Sequence, residues 1–209
     1  MEGNGARFVQ VRRGVQLACF TIAYNCLEGV IALAAGVLAG SSALVGFGLD
    51  SVVEVTSGAA LLWRLRGDAN ETTRERREAV ALKTVGVCFL VLAAYVAYEA
   101  AGALIVRRLP ERSAVGIALA AVSLVVMPLL SRAKRRVAGN ISSAALGADA
   151  RQTDFCVYLS AILLAGLLLN ALLGWWWADP VAALAMVPII AREGWNSLRG
   201  KACCNCGSV

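Results

Sequence analysis

The stretch Ala43–Val55, ALVGFGLDSVVEV, opens an apolar run that continues to Leu62 and yet carries Asp50 and Glu54. A carboxylate at the centre of a membrane-spanning helix costs roughly 2.5–3.5 kcal/mol even on the lenient insertion scales. Two of them four residues apart fall on one helical face, where they repel each other. Such a pair makes sense where a cation or a shared proton offsets the repulsion. The question is therefore whether this run spans a membrane, and what meets the two acids there.

The chain of 209 residues is 59% hydrophobic, against about 45–50% for a soluble domain. Its mean hydropathy is +0.68. Spanning a bilayer takes about 20 apolar residues in a helix. Six runs approach that length: Gly14–Ala39, Ala43–Trp63, Ala79–Val106, Ser113–Leu130, Ala144–Gly174 and Trp175–Ala191. The expected fold is all-α, a polytopic membrane protein of six transmembrane helices. Residues 14–195 form one helical membrane domain, 1–13 lead into it, and 196–209 make a short Cys-rich tail.

The net charge of +6 follows the positive-inside rule rather than nucleic-acid binding. Arg7, Arg12 and Arg13 precede the first run. Arg64, Arg66, Arg74, Arg76 and Arg77 lie between the second and third, with Lys83 in the first turns of the third. Arg132, Lys134, Arg135 and Arg136 follow the fourth, and Arg192, Arg199 and Lys201 follow the sixth. The turns between runs one and two, and five and six, carry no Lys or Arg; Arg107, Arg108 and Arg112 depart from the pattern. Both termini are thus expected to be cytoplasmic. The inner membrane of a cell, or a vesicle membrane, satisfies the pattern. Trp175, Trp176 and Trp177 read as an interfacial anchor, with Asp179 as the N-cap of the sixth helix.

The fifth run opens with dense polarity. Asp149, Gln152 and Cys156 fall at i, i+3 and i+7, one helical stripe, while Arg151 and Asp154 are placed to pair with each other. Set beside the second run, Gln152 and Cys156 complete with Asp50 and Glu54 two i, i+4 pairs. Carboxylate oxygens and a thiolate sulfur in a four-ligand cage suit Zn2+. Because ligands must shed protons to bind, metal and protons compete for one site.

Each residue also has a plainer reading. Asp50 and Glu54 can pair with Lys83 or an arginine. Gln152 can make an interhelical hydrogen bond. Cys156 can be a small buried hydrophobe. Asp149 can lie at the headgroup level or beside the ion path. Asn25 and Glu28 in the first run, and Tyr98 and Glu99 in the third, are read as lining a vestibule or bonding between helices. Cys203, Cys204 and Cys206 offer soft ligands for cytosolic metal capture, or a site of lipid attachment.

Together these motifs resemble the cation diffusion facilitator family. Its metal site pairs D/H-x-x-x-D in the second helix with H/D-x-x-x-D in the fifth. Here the second reads D-S-V-V-E, Asp50 to Glu54. The fifth reads Q-T-D-F-C, Gln152 to Cys156, after Ala148-Asp149. Trp177 to Pro180, W-A-D-P, is also similar. The resemblance extends from about Val11 to Trp195. It implies a homodimer in the lipid bilayer that exports divalent cations in exchange for protons, with no resident cofactor. Two departures stand out. The family's His and Asp of the fifth helix are Gln152 and Cys156, in a chain without histidine. The family's folded C-terminal domain is also not recognisable, which makes the chain similar to a transmembrane-only branch. The alternative function is a transport-inactive membrane protein that assists or regulates a partner. An enzyme is not expected, since no nucleophile–base pair, nucleotide loop or HExxH is present.

Overall fold

The computed structural model describes residues 2–65, 71–107, 110–141 and 144–199. The chain is six α-helices with no strand among the described residues: α1 (Glu2–Ala39), α2 (Ser42–Leu65), α3 (Glu71–Val106), α4 (Ala114–Ile141), α5 (Ala144–Leu173) and α6 (Ala178–Leu198). The first five are long and apolar enough to cross a membrane. Helix α6, with 21 residues, spans about 31 Å at 1.5 Å per residue. The fold is the expected all-α polytopic bundle.

The helices run past the apolar limits read from the sequence. α1 begins well before Gly14, so the border at residue 13 falls inside a helix. α4 continues through the polar run after Leu130 to Ile141. Nothing breaks it there: Arg and Lys are good helix formers and prolong the helix beyond the apolar core. The Cys-rich tail, with Cys203, Cys204 and Cys206, lies outside the described residues, as do Arg66 and Gly67–Asn70.

Sequence neighbours pair most extensively for α1 with α2 and α4 with α5, while α3 pairs with α6. α2 and α5 meet directly. The largest apolar cluster gathers Leu44, Phe47, Phe89, Val96, Leu159, Leu163, Met186 and Ile190. Large side chains such as Val37, Leu38, Ile105 and Leu172 are turned outward, as a bilayer solvent requires.

The turn between α1 and α2 positions the acidic helix. Gly40 adopts φ +62°, the left-handed conformation that ends helices at low cost in glycine. Gly40 N–H donates to Val37 O at 3.3 Å and Ser41 N–H to Gly36 O at 3.0 Å, closing the end of α1. Ser41 then caps α2, its Oγ accepting from Leu44 N–H at 3.1 Å. Ser41 Oγ itself donates to Asp179 Oδ1, and Ala43 N–H donates to Asp179 Oδ2 at 3.4 Å. Asp179 therefore does not cap its own helix, contrary to the expectation from the sequence. α6 starts at Trp177 without a side-chain cap, and the carboxylate serves the N-terminus of α2, where the positive end of the helix dipole favours it. Trp175 and Trp177 stack beside this junction with ring centroids 4.9 Å apart.

Further along, α1 and α2 touch backbone to backbone at Gly48. A Cβ there would stand 2.9 Å from Leu33 N and 2.8 Å from Leu33 Cγ. Gly48→Ala is expected to destabilise the detergent-solubilised protein by about 1–3 kcal/mol, the usual cost of overpacking, seen as a lower midpoint in thermal unfolding followed by circular dichroism. An unchanged midpoint would show that the helices separate freely at this point.

Candidate functional site

Asp50 and Glu54 are held on the face of α2 that looks into the bundle, 2% and 3% exposed. α5 crosses here. Gln152 and Cys156 are both buried on its facing stripe. Cys156 Sγ lies 3.1 Å from Asp50 Oδ2 and donates its thiol proton to that oxygen. Cys156 and Asn25 also lie close enough to Glu54 to act on its carboxylate. Cys156 thus stands against both acids of α2. Its apolar side packs in a small cluster with Met127 and Leu130 of α4. Gln152 is buried near the same level, and its Nε2 has no hydrogen-bond partner among the described residues. Among the described residues no three Cys, Asp or Glu side chains stand close enough together to hold an ion.

α1 supplies the next layer. Glu28 is buried, and Ser51 Oγ of α2 donates to its Oε2 at 3.2 Å. Tyr24 and Ser123, the latter on α4, lie beside Glu28. Asn25 donates through Nδ2 to Thr21 O at 3.0 Å. Three buried acceptor atoms, Asn25 Oδ1, Glu28 Oε1 and Glu54 Oε2, have no hydrogen-bond partner among the described residues. An acceptor buried without a partner costs about 1–3 kcal/mol, so three together mark a place that a cation, a proton or water completes. The sequence places Asn25 and Glu28 beside the ion path, and the fold sets them directly against the acids of α2.

Asp149 lies toward the α4–α5 connection, on the stripe of Gln152 and Cys156. Its partner is one that the sequence does not point to. Lys134 Nζ of α4 is 2.8 Å from Asp149 Oδ2 and donates to Thr153 Oγ1 at 2.9 Å, with the whole lysine 0% exposed. Glu54 is also within electrostatic reach of Lys134. Lys83, the cation that the sequence offers to the acids, is exposed on α3. In the sequence Lys134 belongs to the basic run that follows the fourth span. Its helical register is the available signal: Ser123, Met127, Ser131 and Lys134 recur at helical spacing and are all buried.

One further pairing and one lining residue differ from the sequence reading. Asp154 does not pair with Arg151. It accepts from Ser131 Oγ at 2.5 Å and pairs with Arg135, both on α4. The tight α4–α5 packing brings these residues together, whereas Arg151 is within electrostatic reach of Glu193 of α6. Tyr98 lines no vestibule, since it is 77% exposed on the outer surface of α3. Glu99 borders a cleft of about 200 Å3 with Gly36, Ser41 and Tyr95.

The site of α2 and α5 is therefore distinct from the Arg135–Asp154 pair, and substitution separates them. By isothermal titration calorimetry, Asp50→Asn is expected to weaken zinc binding at least tenfold. Asp154→Asn should leave it within about twofold, because a partly exposed ion pair is worth little. Equal losses in both would place the ion elsewhere.

Comparison with known proteins agrees with this architecture. The cation efflux transmembrane domain family matches residues 19–201. The chain is 27% identical to transmembrane protein 163 of Xenopus laevis over 138 residues, 66% of this chain and 49% of that protein. It is also 27% identical to the uncharacterized transporter sll1263 of Synechocystis over 173 residues, 80% of this chain and 56% of that protein. The chain thus spans about half the length of these curated relatives. It belongs to the cation efflux family, a family of transporters.

Proposed function

We propose that this cation efflux protein is a secondary transporter that binds a divalent metal ion, zinc foremost, between α2 and α5 and carries it out of the cytoplasm in exchange for protons. The observation that carries this reading is the contact of Cys156 with Asp50, deep inside the bundle and beside Glu54. It joins the residues that the sequence pairs as ligands. Sulfur with carboxylate oxygen is a donor set that zinc accepts and that magnesium or calcium does not favour.

In the proton-filled form, the Cys156 thiol donates to Asp50 and the carboxylates of Asp50 and Glu54 share what protons they hold. An arriving ion displaces those protons and draws Asp50, Glu54 and Cys156 inward, with Gln152 Oε1 as a fourth ligand. Release of the ion on the far side lets protons return. Exchange follows because one set of atoms serves both cargoes. The bundle rocks around a fixed site, as in other secondary transporters. Residues 14–195 form the transport unit, both termini face the cytoplasm as the distribution of Lys and Arg favours, and the assembly is a homodimer, as the family resemblance implies. A cell membrane or a vesicle membrane would serve.

Zinc uptake into proteoliposomes of the purified full chain tests this. Uptake is expected to rise when the lumen is made acidic, and to fall to the leak of empty liposomes in Asp50→Asn. A protonophore should remove the stimulation. Absence of uptake of zinc, cobalt, cadmium, iron and manganese by folded protein would refute transport and leave a partner-regulating role.

A further inference from the structure

Lys134 is the only buried Lys or Arg among the described residues, and it is buried completely. A lysine is almost never fully buried unless paired. Its placement along the bundle gives it a further role. α5 begins at Ala144, and Asp149 precedes Cys156 by seven residues, about 10 Å along the helix. On α4, Lys134 lies seven residues before the end of the helix at Ile141. The Lys134–Asp149 pair therefore stands between the α2–α5 site and the end of the bundle where α4 joins α5. Glu54, the acid of α2 nearer that end, faces Lys134 and Asp149.

The same end carries a second layer. Ala18 of α1, Leu61 of α2, Val137 and Ala138 of α4, and Leu146 of α5 form an apolar cluster separate from the main core. Each is one or two turns farther toward this end than its helix's contribution to the site: Leu61 follows Glu54 by seven residues, Ala18 precedes Asn25 by seven, and Leu146 precedes Asp149 by three. All four helices that surround the site thus close together beyond it, first with an ion pair and then with hydrocarbon.

We propose that Lys134 and Asp149, backed by the Ala18–Leu61–Val137–Ala138–Leu146 cluster, form the gate between the ion site and the α4–α5 end of the bundle, with the Lys134 ammonium as a tethered cation that an entering metal ion must displace from Asp149 and Glu54. The proposal rests on the transport reading for the identity of the displacing ion. The closure itself follows from burial and pairing. The ammonium neutralises acids that would otherwise be left facing each other across α2 and α5, and it repels a second cation while it stays. Asp149 is then the first carboxylate that an ion meets on the way to Glu54 and Cys156. Opening requires α4 and α5 to part at this end, and the pair holds them together there.

Cys156 is a built-in reporter, because it is 3% exposed behind the gate. The test is alkylation of the full chain in nanodiscs by a membrane-impermeant maleimide, followed residue by residue by mass spectrometry and without metal. Wild-type Cys156 is expected to label slowly. Lys134→Met, which keeps length and loses charge, and Asp149→Asn are expected to label Cys156 at least tenfold faster. Cys88 of α3, half-buried away from the gate, should keep its rate. The charge swap Lys134→Asp with Asp149→Lys is expected to restore protection. An unchanged Cys156 rate in Lys134→Met would overturn the proposal. So would a rise at Cys156 and Cys88 together, which would make Lys134 a residue of general folding, and so would a swap that fails to protect. Zinc added to Lys134→Met separates the two readings. Slower labelling of Cys156 supports the ion site. No protection, with the gate variants still open, removes the ion site and leaves the gate.

Discussion

Asp50 and Glu54 lie four residues apart inside a helical bundle with almost no access to water, and a carboxylate taken out of water has to be paired, protonated or coordinated. The rest of the bundle is arranged around that constraint. Cys156 and Gln152 reach the acids from α5, Glu28 and Asn25 from α1, and Lys134 from α4. The single buried ammonium among the described residues is outnumbered by Glu28, Asp50, Glu54 and Asp149. The interior therefore carries a standing preference for added positive charge, which is the property an ion carrier needs.

The scaffold keeps that unstable grouping in register by fixing the ends of helices rather than the site itself. Asp179 ties the start of α6 to the start of α2 through Ser41, and the glycine-ended turn after α1 sets α2 against α1. Ser131, Arg135 and Asp154 fasten α4 to α5 near the opposite end. Between these fastenings, the site residues are joined by single hydrogen bonds and several of their polar atoms have none. Rigid ends with a sparsely bonded middle would suit the proposed exchange of protons for metal.

The membrane class and the six helices are legible in the sequence because apolar runs of spanning length are rare outside a bilayer. The acids of α2 are legible for the same reason: charge is conspicuous where hydrocarbon is expected. The facing stripe of Asp149, Gln152 and Cys156 follows from helical spacing alone, and the Cys156–Asp50 contact is where the two patterns meet. Lys134 is not legible, because Arg132, Lys134, Arg135 and Arg136 look like one interfacial cluster and only the lysine turns fully inward. The difference lies in helix phase across Ser131, which is visible only once α4 is seen to continue. The partners of Asp154 and Asp179 are equally hidden, because both bonds reach across to other helices, where local spacing carries no information.

On the proposed reading, sulfur from α5 and oxygen from α2 share one ion. Zinc K-edge X-ray absorption on the purified chain, with Cys203, Cys204 and Cys206 replaced by serine, tests it most directly. One sulfur neighbour at about 2.3 Å together with oxygen neighbours at about 2.0–2.2 Å is expected, with loss of the sulfur neighbour in Cys156→Ala. A shell of oxygen alone in the protein that retains Cys156, or a sulfur neighbour that survives Cys156→Ala, would contradict it.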